Sequence, residues 1–73
     1  MNNFEFFTSN DVLTMKAASA MENIVVYNLN GQVVLNRVLS STTESIDLSS
    51  KATGVYIAKV SIEGAEKSFK ISK

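Results

Sequence analysis

Residues 54–64 read Gly54-Val55-Tyr56-Ile57-Ala58-Lys59-Val60-Ser61-Ile62-Glu63-Gly64, a β-branched and aromatic run with a glycine at each end. Residues of these types fit the pleated surface of a sheet, and the run has the length of a strand. The next run, residues 66–72, alternates between apolar and polar side chains. A two-residue loop at Glu63-Gly64 therefore predicts a β-hairpin in which Ile62 faces Ala65 and Tyr56 faces Ile71.

This register sorts both strands into an apolar face and a largely polar face, and a one-residue slip would scramble both. The apolar face carries Tyr56, Ala58, Val60, Phe69 and Ile71. The other face includes Lys59 and Lys70, which are most simply interpreted as a solvated surface that discourages edge-to-edge aggregation.

A second hairpin is predicted at Asn30-Gly31, because Asn-Gly between apolar runs favours a two-residue type I′ turn. In that register Leu29 faces Gln32 and Tyr27 faces Val34. Both faces of this hairpin are apolar, so we expect part of the outer one to be exposed. The exposed set is predicted to be a docking patch, for a partner or for a weak homodimer, formed by Val25, Tyr27, Leu29 and Val34.

Seven short strands account for most of the chain, and residues 17–22 are expected to form a loop. Two stacked sheets are the economical way to bury seven half-apolar strands. The predicted fold class is therefore all-β, a small seven-stranded immunoglobulin-like β-sandwich in which Tyr56 is placed to form a tyrosine corner. The residues predicted to be buried are Val26, Ile46, Leu48, Tyr56, Val60, Phe69 and Ile71.

Composition excludes several classes of function. The chain has no Cys and no His, which excludes thiolate and imidazole metal sites and the catalysis that uses those groups. Seven basic and seven acidic residues leave no net charge, which argues against nucleic-acid binding. The carboxylates show no convergent spacing and are interpreted as solvated charges. No catalytic residue, cofactor or metal ion is predicted.

Four segments carry a resemblance to a known family. They are residues 11–15 (DVLTM), residues 24–34 (IVVYNLNGQVV), residues 46–60 with IDLS and GVYIAKV, and Gly64 with residues 67–73 (KSFKISK). In this order and spacing they resemble the C-terminal sorting domain of proteins exported by the type IX secretion system of Bacteroidetes. One departure lies at residues 6–9, which read FFTS where the family usually opens with an aromatic residue followed by Asn-Pro.

The resemblance implies a single sorting domain over residues 1–73, with residues 1–3 a remnant of cloning or of a linker. It implies no enzymatic activity, an N-terminal cargo, and recognition by the outer-membrane translocon and its shuttle protein. A sortase-like peptidase would then remove the domain, and the cargo would be secreted or held at the cell surface after crossing the periplasm and outer membrane. The residues assigned to partner recognition are Gly54, Tyr56, Lys59, Gly64, Lys70 and Lys73.

An alternative function is an immunoglobulin-like or fibronectin-like accessory module that binds carbohydrate or spaces the domains of a secreted protein. Sugar-binding surfaces usually need exposed Trp or Tyr. The chain has no Trp, and Tyr27 is the only candidate.

Overall fold

The computed structural model describes residues 4–73, and residues 1–3, interpreted above as a remnant, lie outside the described residues. Seven strands make up the described part, which confirms the all-β prediction. They are β1 (Glu5–Ser9), β2 (Val12–Lys16), β3 (Met21–Tyr27), β4 (Val33–Val38), β5 (Thr43–Asp47), β6 (Val55–Ile62) and β7 (Ala65–Ser72).

The strands form two antiparallel sheets that enclose one core. The three-stranded sheet has the order β1-β2-β5 and the four-stranded sheet the order β4-β3-β6-β7. Alternate residues of the strands point between the sheets, where removal of apolar surface from water stabilises the fold. The buried core consists of Leu13, Met15, Met21, Ile24, Val26, Leu39, Ile46, Leu48, Tyr56, Ala58, Val60 and Ile71.

The β6–β7 hairpin has the predicted register. Ile62 pairs with Ala65, and the pairing continues along both strands to Tyr56 opposite Ile71. The two loop residues, Glu63 and Gly64, both have positive φ, at 51° and 79°. Positive φ at both central residues is the geometry of a type I′ turn, whose twist matches that of the flanking strands.

The predicted register of the β3–β4 hairpin is wrong beyond Val26, which does pair with Leu35. Tyr27 pairs with Val33 instead of Val34, and a β-bulge lies at this point. The loop also differs, because Gly31 has positive φ whereas Asn30 does not. The Gly31 N–H donates to the Asn28 carbonyl (3.0 Å) and the Asn28 N–H to the Gln32 carbonyl (2.9 Å). This pattern is typical of a three-residue loop that ends in a bulge.

The side chain of Asn28 explains the longer loop. Its Oδ1 accepts the backbone N–H groups of Asn30 (2.9 Å) and Gln32 (3.0 Å), and its Nδ2 donates to Gln32 Oε1 (2.9 Å). An asparagine side chain that bonds backbone two residues ahead stabilises a local turn in place of a strand ladder. Asn28 is therefore the first residue of the turn, not part of the strand.

Two further predictions need correction. β3 begins at Met21, inside the predicted loop at residues 17–22, because the Met21 side chain is buried in the core and its N–H donates to the Ser41 carbonyl (3.0 Å). Phe69 is only partly buried, because it packs on Phe4 and Phe6 at the edge of the other sheet, and Phe6 is itself exposed. Its ring stacks on Phe6, with 4.2 Å between the ring centroids. The other six residues of the predicted buried set are buried.

Candidate functional site

The outer face of the four-stranded sheet carries an apolar row that no element of the described residues covers. Tyr27 pairs with Val33 on one side and with Ile57 on the other, and Ile57 pairs with Lys70. Directly paired residues of antiparallel strands point to the same face, so these four side chains cross the whole sheet as one row. Val33 is 56% exposed, and Leu29 in the adjoining loop is 69% exposed.

A shallow groove runs beside Tyr27. It has a volume of about 350 Å³ and is lined by Tyr27, Asn28, Leu29, Gly31, Ile57 and Lys59. Lys59 Nζ lies 5.5 Å from the centroid of the Tyr27 ring, which is cation–π geometry. We call this the Tyr27 groove. Its floor is apolar and one of its walls carries a positive charge.

Three of the four residues of the predicted docking patch lie on the outer surface, and their role in docking stays a prediction. Val25 and Tyr27 lie on the outer face, and Leu29 is exposed in the loop. Val34 does not belong to the patch, because it packs against the core. The bulge moves Val33 to the outer face instead, and sequence reasoning missed it. The signal that could have found it is the Asn28 side chain, which lengthens the loop by one residue.

Three of the six residues assigned to recognition come together in a structural arrangement that we call the terminal clasp. Gly54 and Lys73 exchange two backbone hydrogen bonds, of 2.8 and 3.1 Å. The Tyr56 hydroxyl donates to the Ala52 carbonyl, which confirms the predicted tyrosine corner. The Lys73 ammonium donates to the carbonyls of Ser49 (3.3 Å) and Lys51.

The clasp ties the crossover at residues 48–54 to the end of β7. Lys73, which the sequence assigned to partner recognition, also has a structural role. Its side chain is half-buried, and its ammonium donates hydrogen bonds to backbone carbonyls of the same domain. The other three assigned residues lie elsewhere and are exposed: Lys59 and Lys70 on the outer face and Gly64 in the β6–β7 turn.

Asp47 adds a local charge next to the crossover. The Ser49 backbone N–H donates to Asp47 Oδ1 (2.9 Å), and this bond holds the pKa of the Asp47 carboxyl below its ordinary value. A side-chain hydrogen bond from Ser49 acts in the same direction, and Arg37 and Lys73 add smaller electrostatic contributions. A carboxylate that accepts hydrogen bonds in its charged form is stabilised in that form. Asp47 therefore stays ionised and orders the start of the crossover.

A second, smaller cavity lies at one end of the sandwich. It has a volume of about 180 Å³, and its lining residues are Thr8, Ser9, Asn10, Asp11, Leu48, Ser72 and Lys73. Asn10 and Asp11, the two turn residues between β1 and β2, both have positive φ. Residues 4–73 contain no group of three or more Asp or Glu side chains arranged to hold a metal ion. Within the same residues no helix is long and apolar enough to cross a membrane.

Comparison with models of known protein families gives a match over most of the chain. The family model described as "Secretion system C-terminal sorting domain" matches residues 9–73, from the last residue of β1 onward. The search of curated proteins found no match.

Proposed function

Because the chain belongs to the family of secretion system C-terminal sorting domains, we propose that the export machinery recognises it along the open edge of β7. As a member of this family the domain is a C-terminal sorting signal for type IX secretion, and it marks the protein that carries it for the cell surface or for release. The accessory-module alternative is not favoured by the match. An interaction with the secretion machinery and with an attached cargo follows from the same membership.

The open edge is the observation that carries the proposal. β7 pairs with β6 on one side only, so half of its backbone groups have no partner in the sheet. Ile62 and Ala65 flank the two-residue loop at one end of the hairpin. At the other end, Gly54 and Lys73 each donate a backbone N–H to the carbonyl of the other. Hydrogen-bonded pairs alternate with non-bonded pairs along antiparallel strands. The N–H and C=O groups of Glu66, Ser68, Lys70 and Ser72 therefore point to the open edge.

A partner protein can bind such an edge by adding a β-strand to it. Backbone hydrogen bonds then supply affinity, and side chains on either face supply specificity. Lys70 lies among the open-edge residues and offers a positive charge on the outer face. Gly54, Tyr56 and Lys73 contribute indirectly, since the terminal clasp keeps the end of β7 paired and straight.

The partners in this proposal are the outer-membrane translocon and its shuttle protein. A sortase-like peptidase then separates the domain from its cargo. The domain itself performs no catalysis, which is supported by the lack of Cys and His in the sequence and by the dispersed carboxylates.

The test uses a reporter fused to residues 4–73 in a cell that has a type IX secretion system. Ser68→Pro removes one N–H group at the open edge, and proline is tolerated where the N–H of an edge strand faces solvent. Ser68→Ala is the matched control, because it removes the hydroxyl and keeps the N–H. We expect Ser68→Pro to reduce surface display of the reporter at least tenfold and Ser68→Ala to leave it unchanged.

Thermal melting of both variants separates recognition from folding. A folded Ser68→Pro variant that is exported as well as Ser68→Ala would show that the β7 edge is not the contact. Lys70→Glu provides a second test that leaves the backbone intact, and it should reduce export with little change in the melting temperature because the side chain is exposed. A bulky folded tag after Lys73 should likewise leave the domain folded and block export.

A further inference from the structure

We infer that the Tyr27 groove binds a short acidic segment, with an apolar residue at its centre, from a protein of the export machinery. The inference depends on the proposed function only for the source of that segment. The groove lies on the outer face over β3 and β6, whereas the proposed strand addition uses the open edge of β7. The two contacts are therefore adjacent surfaces of the same sheet, which meet at Lys70.

The apolar part of the groove explains why a protein segment fits. Tyr27 and Ile57 form the floor, and Leu29 stands beside them in solvent. Val33 extends the apolar surface to the edge at β4. Contiguous exposed apolar surface of this kind, with polar groups at its rim, marks interaction sites on small domains. Its volume of about 350 Å³ is at the small end of binding pockets, which is enough for an apolar anchor side chain of a segment whose remaining residues lie outside it.

The charges around the groove define the chemistry of the segment. Lys59 forms one wall, and Lys70 stands at the end of the row through Tyr27 and Ile57. The sequence has no Asp or Glu between Glu22 and Glu44, or between Gly54 and Ile62. On β7, Glu66 lies on the same face, diagonal to Lys59 and about 13 Å of strand from Lys70, but it does not line the groove. The lining of the groove therefore includes a lysine and no carboxylate.

The same charges argue against a second copy of the chain as the occupant. A twofold dimer brings the same patch of both subunits together. Lys59 and Lys70 of both copies would then be brought into one interface, and accumulating like charges there is costly. A segment with carboxylates on both sides of an apolar residue instead places its anchor on Tyr27 and Ile57 and its charges near the lysines.

The test is an NMR titration of the ¹⁵N-labelled 73-residue chain with synthetic peptides. The probe is an acetylated, amidated hexapeptide with Leu-Phe at its centre and two glutamates on each side. One control peptide has lysines in place of the glutamates, and another has Gly-Gly in place of Leu-Phe. We expect the acidic probe to shift the amide signals of Leu29, Gly31, Ile57 and Lys59, and both controls to bind at least tenfold more weakly.

Paired variants assign the binding to the groove. Lys59→Glu should weaken the acidic probe at least tenfold, and Lys16→Glu, the same charge change on the other sheet, should leave its affinity unchanged. Ile57→Ser should weaken it without reversing the preference for acidic over basic probes. These measurements do not involve the β7 edge, so their outcome is independent of the Ser68→Pro export assay.

Three outcomes would overturn the inference. Equal binding of the acidic and lysine probes would remove the charge argument. Shifts confined to β1 or β7 would place the binding elsewhere. If the amide signals of the groove residues shifted with protein concentration in the absence of peptide, and sedimentation showed a dimer, the groove would be assigned to self-association.

Discussion

The two hairpins of the four-stranded sheet differ in how firmly their side chains specify a register. In β6–β7 one face is buried and the other is largely polar, so a slip by one residue would put Val60 and Ile71 in water. In β3–β4 both faces are apolar, so the same slip costs much less. There the local bonds of Asn28 determine the loop, and the strands adjust to it through a bulge. Alternation thus fixes a register only where one face is polar.

The largest expected difference between the hairpins lies in their inward residues. Ile71 on β7 is 3% exposed, whereas Leu35 on β4 is only partly buried. Ile71→Ala should reduce the free energy of unfolding by about 2–5 kcal/mol, which is most of the stability of a domain this small. Leu35→Ala should cost less than half as much.

Urea denaturation of the two variants measures this difference. Ser68→Ala, at an exposed position of β7, serves as the control and should lie within about 0.5 kcal/mol of the wild type. Equal losses of unfolding free energy for Ile71→Ala and Leu35→Ala would contradict the difference in burial between the two side chains.

A smaller effect is expected for the two tyrosines, one on each hairpin. Tyr56 is buried and its hydroxyl donates to the Ala52 carbonyl, so Tyr56→Phe should cost about 1–2 kcal/mol. Tyr27 is half-buried on the outer face, and Tyr27→Phe should change stability by less than about 0.5 kcal/mol. Thermal unfolding of both variants tests this, and an unchanged midpoint for Tyr56→Phe would remove the tyrosine corner as a source of stability.

The smallest effects are expected in the turns and have opposite signs. Asn28→Ala removes the acceptor of two backbone N–H groups and should cost about 1 kcal/mol. Glu63 has positive φ, which asparagine tolerates better, so Glu63→Asn should gain about 0.5–1 kcal/mol. Asn30→Ala is the control, because φ at Asn30 is not positive. A stabilised Asn28→Ala variant would show that the loop is set by Gly31 alone.

Much of the fold followed from sequence because its signals are local. The period-two alternation of residues 54–72 determines the β6–β7 register, and the position of Tyr56 after a short crossover indicates the tyrosine corner. The bulge at Val33 and Val34 was missed because an Asn-Gly pair suggested a two-residue loop. The hydrogen bonds of the Asn28 side chain favour a three-residue loop instead, and the alternation of apolar and polar residues does not predict them.

The candidate site was less predictable because it depends on tertiary contacts. The structural role of Lys73 was not predicted, because its ammonium reaches carbonyls of the crossover that are distant in sequence. Phe69 lies on the inward face as predicted, but its burial depends on the rings of Phe4 and Phe6 from the other sheet, which cover it only in part. Lys59 and Lys70 were correctly placed outside, because strand alternation alone decides the face of a residue.

The pairing of β2 with β5 has a consequence for the time course of folding. Lys16 meets Thr43 only across residues 17–42, and in the larger sheet Tyr27 meets Ile57 only across residues 28–56, whereas each of the three hairpins closes a short loop. Closing a long loop costs entropy before its contacts form, so distant pairings slow folding. We expect the hairpins to be formed at the rate-limiting step and the two distant pairings to be completed afterwards. Asn28→Ala, which weakens the β3–β4 turn, should then slow refolding, while Leu48→Ala, at the end of the distant β2–β5 pairing, should mainly speed unfolding; stopped-flow kinetics of the two variants would show the reverse if the distant pairings formed first.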